Sequence, residues 1–281
     1  QVGAAVQSHW CSAGAMGTWA EAGAGALATE SFGGPAYGPR GLGRMKSGLS
    51  AKQAIAALLL VDDGRDVRQV AFVDTSGTVA AHPGAKCIES ADHHVGEGYS
   101  VQANMMLNDK VVPAMAKAYE SAEGDLAERL MAALEAAQAA GGDIRGKQSA
   151  AMLIVKSEST GRSWADRVLE LRIEDHPPPI PELRRLPRLH RAYEHTNAGD
   201  VAVEHDDLER ATAEYGEPAE HLPARSRRAT LPNAHGSDAA YGAAHQAPKP
   251  LLPQQQASPH QTSPPHQADK RARPCESPKP R

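Results

Sequence analysis

Aromatic residues are scarce in this 281-residue chain, at 4% of the total. A core with so few rings has to be built from Ala, Val, Leu and Ile, and the hydrophobic fraction of 41% supplies enough of them. Cysteine is almost absent too: Cys11, Cys87 and Cys275 form an odd set without metal-ligand spacing. That excludes a disulfide framework and points to a reducing compartment. No long apolar run exists. The longest, Ala54 to Val61, falls far short of the ~20 residues that cross a bilayer. No signal-peptide pattern opens the sequence, which begins at Gln1, so the expectation is a cytoplasmic chain with no membrane partner. Proline is thin in the first two-thirds. Only Pro35, Pro39, Pro83 and Pro113 precede Pro177, although the chain holds 21. Excess positive charge is missing as well. With 30 Lys and Arg against 34 Asp and Glu, a net charge of -4 argues against nucleic acid as a partner.

What is present divides the chain at 1–176, 177–221 and 222–281. The first stretch alternates strand and helix signals. Val2, Ala4 and Val6 alternate with Gly3, Ala5 and Gln7, a small-residue strand pattern, and Gly23 to Thr29 reads the same way. Gln69 to Asp74 is a stronger strand, and the turn chemistry of Asp74-Thr75-Ser76-Gly77 returns it as a hairpin through Thr78 to Ala81. Ala150 to Val155 and Arg167 to Ile173 are two further strands. Ser50-Ala51-Lys52-Gln53 is a capping box that opens a helix to Val61, with Ile55, Leu58 and Leu59 on its apolar stripe. Asp125 leads a second such helix through Ala140, ended by Gly141-Gly142, and Val111 to Glu120 is a third. Strands and helices mixed in this way predict an α+β domain.

In 177–221, Leu183, Leu186, Leu189 and Tyr193 have helical spacing interrupted at Pro187. Asn197 to Asp200 reads as a turn, and Asp207 to Tyr215 as a second helix. The pattern fits a helical hairpin, or one tetratricopeptide-like unit of roughly 34 residues. From Leu222 on there is no Val, Ile, Met, Phe or Trp. Such a segment cannot offset the entropy of ordering, and a disordered tail is expected.

Several strings are specific: Gly3 to Trp10, Tyr37-Gly38-Pro39, Arg68-Gln69-Val70, Gly98 to Asn104, Leu126 to Leu130 and Gly141 to Ala150. In this order the chain resembles, from Gln1 to about His190, an uncharacterised bacterial and archaeal domain-of-unknown-function family. That family's fold is like the N-terminal-nucleophile hydrolases. The resemblance implies a four-layer αββα sandwich, followed here by the helical hairpin and tail. It also implies a strand ahead of Gln1 that would carry the nucleophile, since Gln1 has no nucleophilic atom. Chemistry of that class uses an N-terminal Thr, Ser or Cys whose own amine is the base. The resemblance thus implies amide hydrolysis, with the chain as it stands inactive. The alternative is a non-catalytic ligand- or partner-binding domain. Peptide- or amide-containing small molecules are the expected ligands, and a strand edge left open by the absent strand favours a homo-oligomer.

The residues offer their own candidates for the pocket. Ser8 ends a strand, but His9 beside it points to the opposite face, so the two are no nucleophile–base pair. Gln102 and Asn104 share a strand face. They are read either as amides for a substrate or as partners of buried backbone. Asp143, Arg145, Gln148 and Ser149 follow the Gly141-Gly142 stop. Asp143 and Arg145 are read either as a carboxylate-binding pair or as a structural ion pair. Asp92-His93-His94 lacks the spacing of a metal site, and no cofactor is implied. Cys87 is read as a small buried hydrophobe.

Overall fold

The computed structural model describes residues 1–31 and 34–216. The tail expected at 222–281 lies outside the described residues. Strand β1 (Val2–Ser8) is followed by a short 3-10 turn at Ala13–Ala15, then β2 (Thr18–Glu21) and β3 (Gly25–Ser31). Helices α1 (Tyr37–Lys46) and α2 (Ala51–Leu59) lead into β4 (Arg68–Asp74) and β5 (Val79–Pro83). A hairpin of β6 (Asp92–Gly96) and β7 (Tyr99–Ala103) precedes α3 (Val111–Ser121) and α4 (Leu126–Ala139). Then come β8 (Ser149–Val155), the single turn α5 (Ser163–Asp166), β9 (Arg167–Ile173), α6 (Pro179–Glu204) and α7 (Leu208–Gly216).

All pairings are antiparallel, in three ladders ordered β1-β8-β9, β2-β3-β4-β5 and β6-β7. The small residues foreseen in β1 and β3 let these ladders face each other. Val2 packs with Ala22, Ala26 and Val155, and Val6 with Ala13 and Ala151. The opposite strand faces carry larger side chains toward helices. Leu27, Val70 and Phe72 pack under α1 and α2 with Tyr37, Leu42, Ile55 and Leu58. Met152, Ile154, Leu169 and Ile173 pack with Met131 and Leu134 of α4 and Ile180 and Leu183 of α6. Tyr99, Val101 and Ala103 pack against Val111, Met115 and Tyr119 of α3.

The helix caps follow local chemistry. The Ser50 hydroxyl accepts from the Gln53 N–H while the Gln53 side chain takes the Ser50 N–H at 3.0 Å, a complete capping box. Asp74 adds a second tie, accepting the Ala51 N–H at 2.8 Å and the Ser76 and Thr78 N–H groups at 3.0 Å. Burial by itself would raise the Asp74 carboxyl, but these bonds hold it below its ordinary range. Asp125 caps α4 through the Glu128 N–H at 2.9 Å. Gly141 and Gly142 end that helix in left-handed backbone, with φ of 129° and 63°.

One helix was not foreseen, and three expectations are corrected. Tyr37–Lys46 is a helix that its three glycines and one proline concealed. Pro187 does not interrupt α6, which runs unbroken through it and through the turn expected at Asn197 to Asp200. Gly199 serves a close approach rather than a turn: a Cβ there would lie 2.5 Å from the Tyr215 ring of α7. Cys87 is half-buried, its thiol 3.5 Å from the Arg68 carbonyl, rather than a core residue. α7 folds back on α6, with His195 2.8 Å from Glu214 and the Tyr215 hydroxyl donating to Asp200 at 2.5 Å. Among the described residues no helix is long and apolar enough to cross a membrane.

Candidate functional site

Among the described residues β1 is bonded to β8 on one side only, and β7 to β6 on one side only. Their other edges line the same cavity, of about 530 Å³. Ala26, Ala28, Ala71 and Val73 form its floor, from β3 and β4, and α3 and α4 cover it with Met115, Tyr119, Leu130 and Leu134. The element contacts explain this shape. β8 packs on β2, β1 on β3, and β7 on β4 and β5. Above the ordered row β2-β3-β4-β5, the row β6-β7 then β1-β8-β9 therefore has a gap between β7 and β1. Apolar layers lie on both sides of that gap.

The floor of the gap is apolar and one wall is polar. Residues 26, 28 and 30 of β3 share the face turned toward β1 and β7, as do 69, 71 and 73 of β4. Glu30 and Gln69 stand directly opposite in the β3–β4 register. Gln102 and Asn104 come from the facing β7 segment, so the two expected amides do converge, on a carboxyl that local sequence did not reveal. Asn104 donates to Glu30 at 3.2 Å and to the Gln69 carbonyl oxygen at 2.8 Å. Gln69, completely buried, passes its own amide hydrogens to the Asp92 and Ala103 carbonyls, each at 3.1 Å. The patch is thus wired into the β6–β7 hairpin.

Burial pushes the Glu30 carboxyl up to about 7, against the opposing pull of the Gln102 and Asn104 amides. Gln102 lies near enough to Glu30 to favour its charge. Among the described residues neither its Nε2 nor its Oε1 meets full hydrogen-bond geometry, and both are sealed from the surface. The Ser100 hydroxyl, one pleat earlier on the same face, is buried and unpartnered as well. Buried polar groups are nearly always satisfied, so such a row marks a wall built to face something. A carboxyl pushed up to about 7 beside these side-chain amides can donate or accept a proton near neutral pH.

The remaining expected residues gather at the end of β1 and have structural partners. The Ser8 hydroxyl accepts the Trp10 N–H at 3.1 Å. Ser149, fully buried, donates to the Trp10 carbonyl at 2.5 Å and accepts the Ala13 N–H at 3.0 Å. Gln148 donates to Asp175 at 2.7 Å. Asp143 and Arg145 pair with each other at 2.6 and 2.9 Å. The His9 Nδ1 faces Asp143 at 3.8 Å and is otherwise unpartnered. His93 and His94 lie on β6, and the His94 ring rests beside Tyr99 with Nε2 3.9 Å from Glu120. Among the described residues no three His, Cys, Asp or Glu side chains are gathered as for a metal ion.

At the other end of the cavity, Arg129 lies 4.3 Å from the centre of the Tyr119 ring, which stacks on Tyr99 at 4.4 Å. Tyr99 donates to Glu120 at 2.5 Å; burial and that carboxylate push its hydroxyl up to about 12, so it stays a donor. Sequence reasoning missed this stack, because its members come from β7, α3 and α4.

Comparison with known proteins gives the family. No curated protein matches the chain. A crystal structure of protein SPO2555 from Silicibacter pomeroyi, assigned to the DUF1028 family, superposes with a TM-score of 0.59 at 27% identity. The match covers 66% of this chain and 78% of that one. The model of the "Family of unknown function (DUF1028)" matches residues 1–183. The chain belongs to the DUF1028 family of unknown function.

Proposed function

We propose that this chain is a hydrolase-like domain of the N-terminal-nucleophile type. Its intersheet gap seats an extended strand, and its polar wall receives an amide ligand. The observation that carries the reading is the gap itself: two free strand edges, of β1 and β7, facing one slot between apolar layers. Neighbouring strands lie about 4.8 Å apart, so one inserted strand can bond to both edges and join the two ladders into a single sheet. The resemblance supplies the occupant, the strand ahead of Gln1. Its insertion gives four layers, with α1 and α2 outside one sheet and α3, α4 and α6 outside the other.

The described residues supply recognition but no activated nucleophile of their own. No hydrogen bond among them joins a Ser, Thr or Cys side chain to a histidine ring; the His82, His195 and His205 rings bond elsewhere. Ser8, Ser12 and Ser149 are each engaged by backbone or carboxylate partners. An amide hydrolase of this build needs its nucleophile from the seated strand, with Glu30 available to exchange a proton at the polar wall.

An active-site acylating probe and a panel of amide substrates test this. The chain beginning at Gln1 should remain unlabelled and inert. The chain extended by its upstream coding sequence should be labelled on one Thr, Ser or Cys at its mature N-terminus. Stoichiometric labelling of an internal serine in the shorter chain, abolished by changing that serine to Ala, would contradict the reading.

A further inference from the structure

We propose that Arg129 is a carboxylate anchor at the Tyr99 end of the gap, so that the extended segment seated there carries an acidic group at that end. The proposal rests on the strand-seat reading above and adds the chemistry by which the seated segment is recognised. α4 turns Leu126, Leu130, Ala133 and Leu134 to the cavity, the spacing of an apolar helix face. Arg129 lines the cavity on that same face. Its Nε donates to the Tyr119 carbonyl at 3.2 Å and its guanidinium rests over the Tyr119 ring, which holds the side chain in place. Among the described residues its two terminal nitrogens have neither a hydrogen-bond partner nor a carboxylate, and neither is sealed from the surface. Two such nitrogens side by side match the two oxygens of a carboxylate in a bidentate pair.

The acidic side chains near Arg129 are already engaged. Asp125 takes Arg191 at 2.8 Å, Glu128 takes Arg191 at 3.0 Å and Arg184 as well, and Glu120 accepts from the Tyr99 hydroxyl at 2.5 Å. The anchor is therefore left for a carboxylate from outside the described residues. Its end of the gap is set by the tyrosines: Tyr119 stacks on Tyr99, where β7 begins. Gln102, beside Glu30, lies three residues further along β7, about 10 Å away. A carboxylate gains nothing at that far end, where burial already raises the Glu30 carboxyl and disfavours negative charge. The gap is thus polarised, with the acidic group of its occupant at the Arg129 end.

The test is an NMR titration of the chain beginning at Gln1 with three acetylated peptides added in trans. One is acetyl-Thr-Val-Thr-Val-Ala with a free C-terminal carboxylate, and the second is its C-terminal amide. The third is acetyl-Thr-Val-Thr-Val-Asp amide, whose only carboxylate is on a side chain. Both carboxylate peptides should shift the Arg129 Nε–H and Tyr99 ring signals and bind at least about tenfold more tightly than the neutral amide. The tighter of the two tells whether a chain end or an acidic side chain is the natural occupant, and either supports the anchor. Raising the salt concentration should erode the preference. Arg129→Met, which keeps the stem over Tyr119, should abolish it, and Arg129→Lys, which keeps the charge without the fork, should leave part of it. Equal binding of the three peptides by the parent chain, or a preference that survives Arg129→Met, would overturn the anchor and leave the strand seat standing. Absence of binding by all three would overturn both.

Discussion

Glu30 shows how a single residue can matter without advertising itself. It stands in an Ala-rich strand, two residues on from Ala28 and four from Ala26, on the face that meets the gap. The signal that could have found it is a lone charge in phase with buried alanines. Its neighbours Gln69 and Asn104 are brought to it by register and by the facing hairpin, over separations of 39 and 74 residues. The candidate amides Gln102 and Asn104 were legible because they stand two apart in sequence, although β7 itself ends at Ala103; the carboxyl that joins them was not. The raised Glu30 pKa has a consequence for stability. Below its unfolded value of 4.5 the group is neutral in both states and costs nothing. Between there and about 7 the folded chain holds a proton that the unfolded chain has released, so stability falls as pH rises, by at most roughly 3 kcal/mol. Glu30→Gln should therefore flatten the pH dependence of urea unfolding across this window and be more stable than the parent at pH 8. A parallel fall in both proteins would refute it. Met131, fully buried between α4 and β8, carries a plainer expectation: Met131→Ala should cost about 2–4 kcal/mol in the same assay.

Among the elements, legibility tracked how locally each was determined. α2 and α4 were readable because Ser50 and Asp125 cap them through partners three residues away. β4 and β8 were readable as apolar runs of strand length, and β9 from the alternation of Val168 and Glu170. α1 was hidden by Gly38, Gly41 and Gly43, yet two of these are packing requirements. A Cβ at Gly38 would sit 2.2 Å from the Trp19 ring, and one at Gly41 2.5 Å from the Phe72 ring. Pro39 is harmless because it lies in the first turn, where its missing N–H has no intrahelical acceptor. Gly41→Ala is accordingly expected to lift α1 off β4 and lower the melting temperature by several degrees, despite the better helix propensity of alanine. Gly43→Ala, with nothing within 4 Å of the added carbon, should raise it slightly, by up to about 1 kcal/mol of stability. α6 was misread at Pro187 and Gly199 for a related reason. The helix is held by Ile180 and Leu183 on the sheet side and by the Arg184 and Arg191 bridges to Glu128, so tertiary packing overrides the two breakers.

At the scale of the molecule, the faces of each ladder were assigned by alternation and small residues, but the gap between β7 and β1 was not foreseeable from local pattern. It arises because two ladders lie over one continuous four-stranded ladder and fail to meet. An unpaired edge like that of β1 invites pairing, whether with a strand of the same polypeptide or with a second copy. Hydrogen exchange of the backbone amides in Val2–Ser8 and Tyr99–Ala103 reads out whether the gap seats one strand. In the chain beginning at Gln1, the amides of these segments that turn away from β8 and β6 should exchange quickly. In a chain carrying the strand that the resemblance implies ahead of Gln1, the same amides in both segments should slow by at least about a hundredfold, as each gains a ladder partner. Protection that is unchanged by that strand, or that rises in β1 and not in β7, would contradict the account.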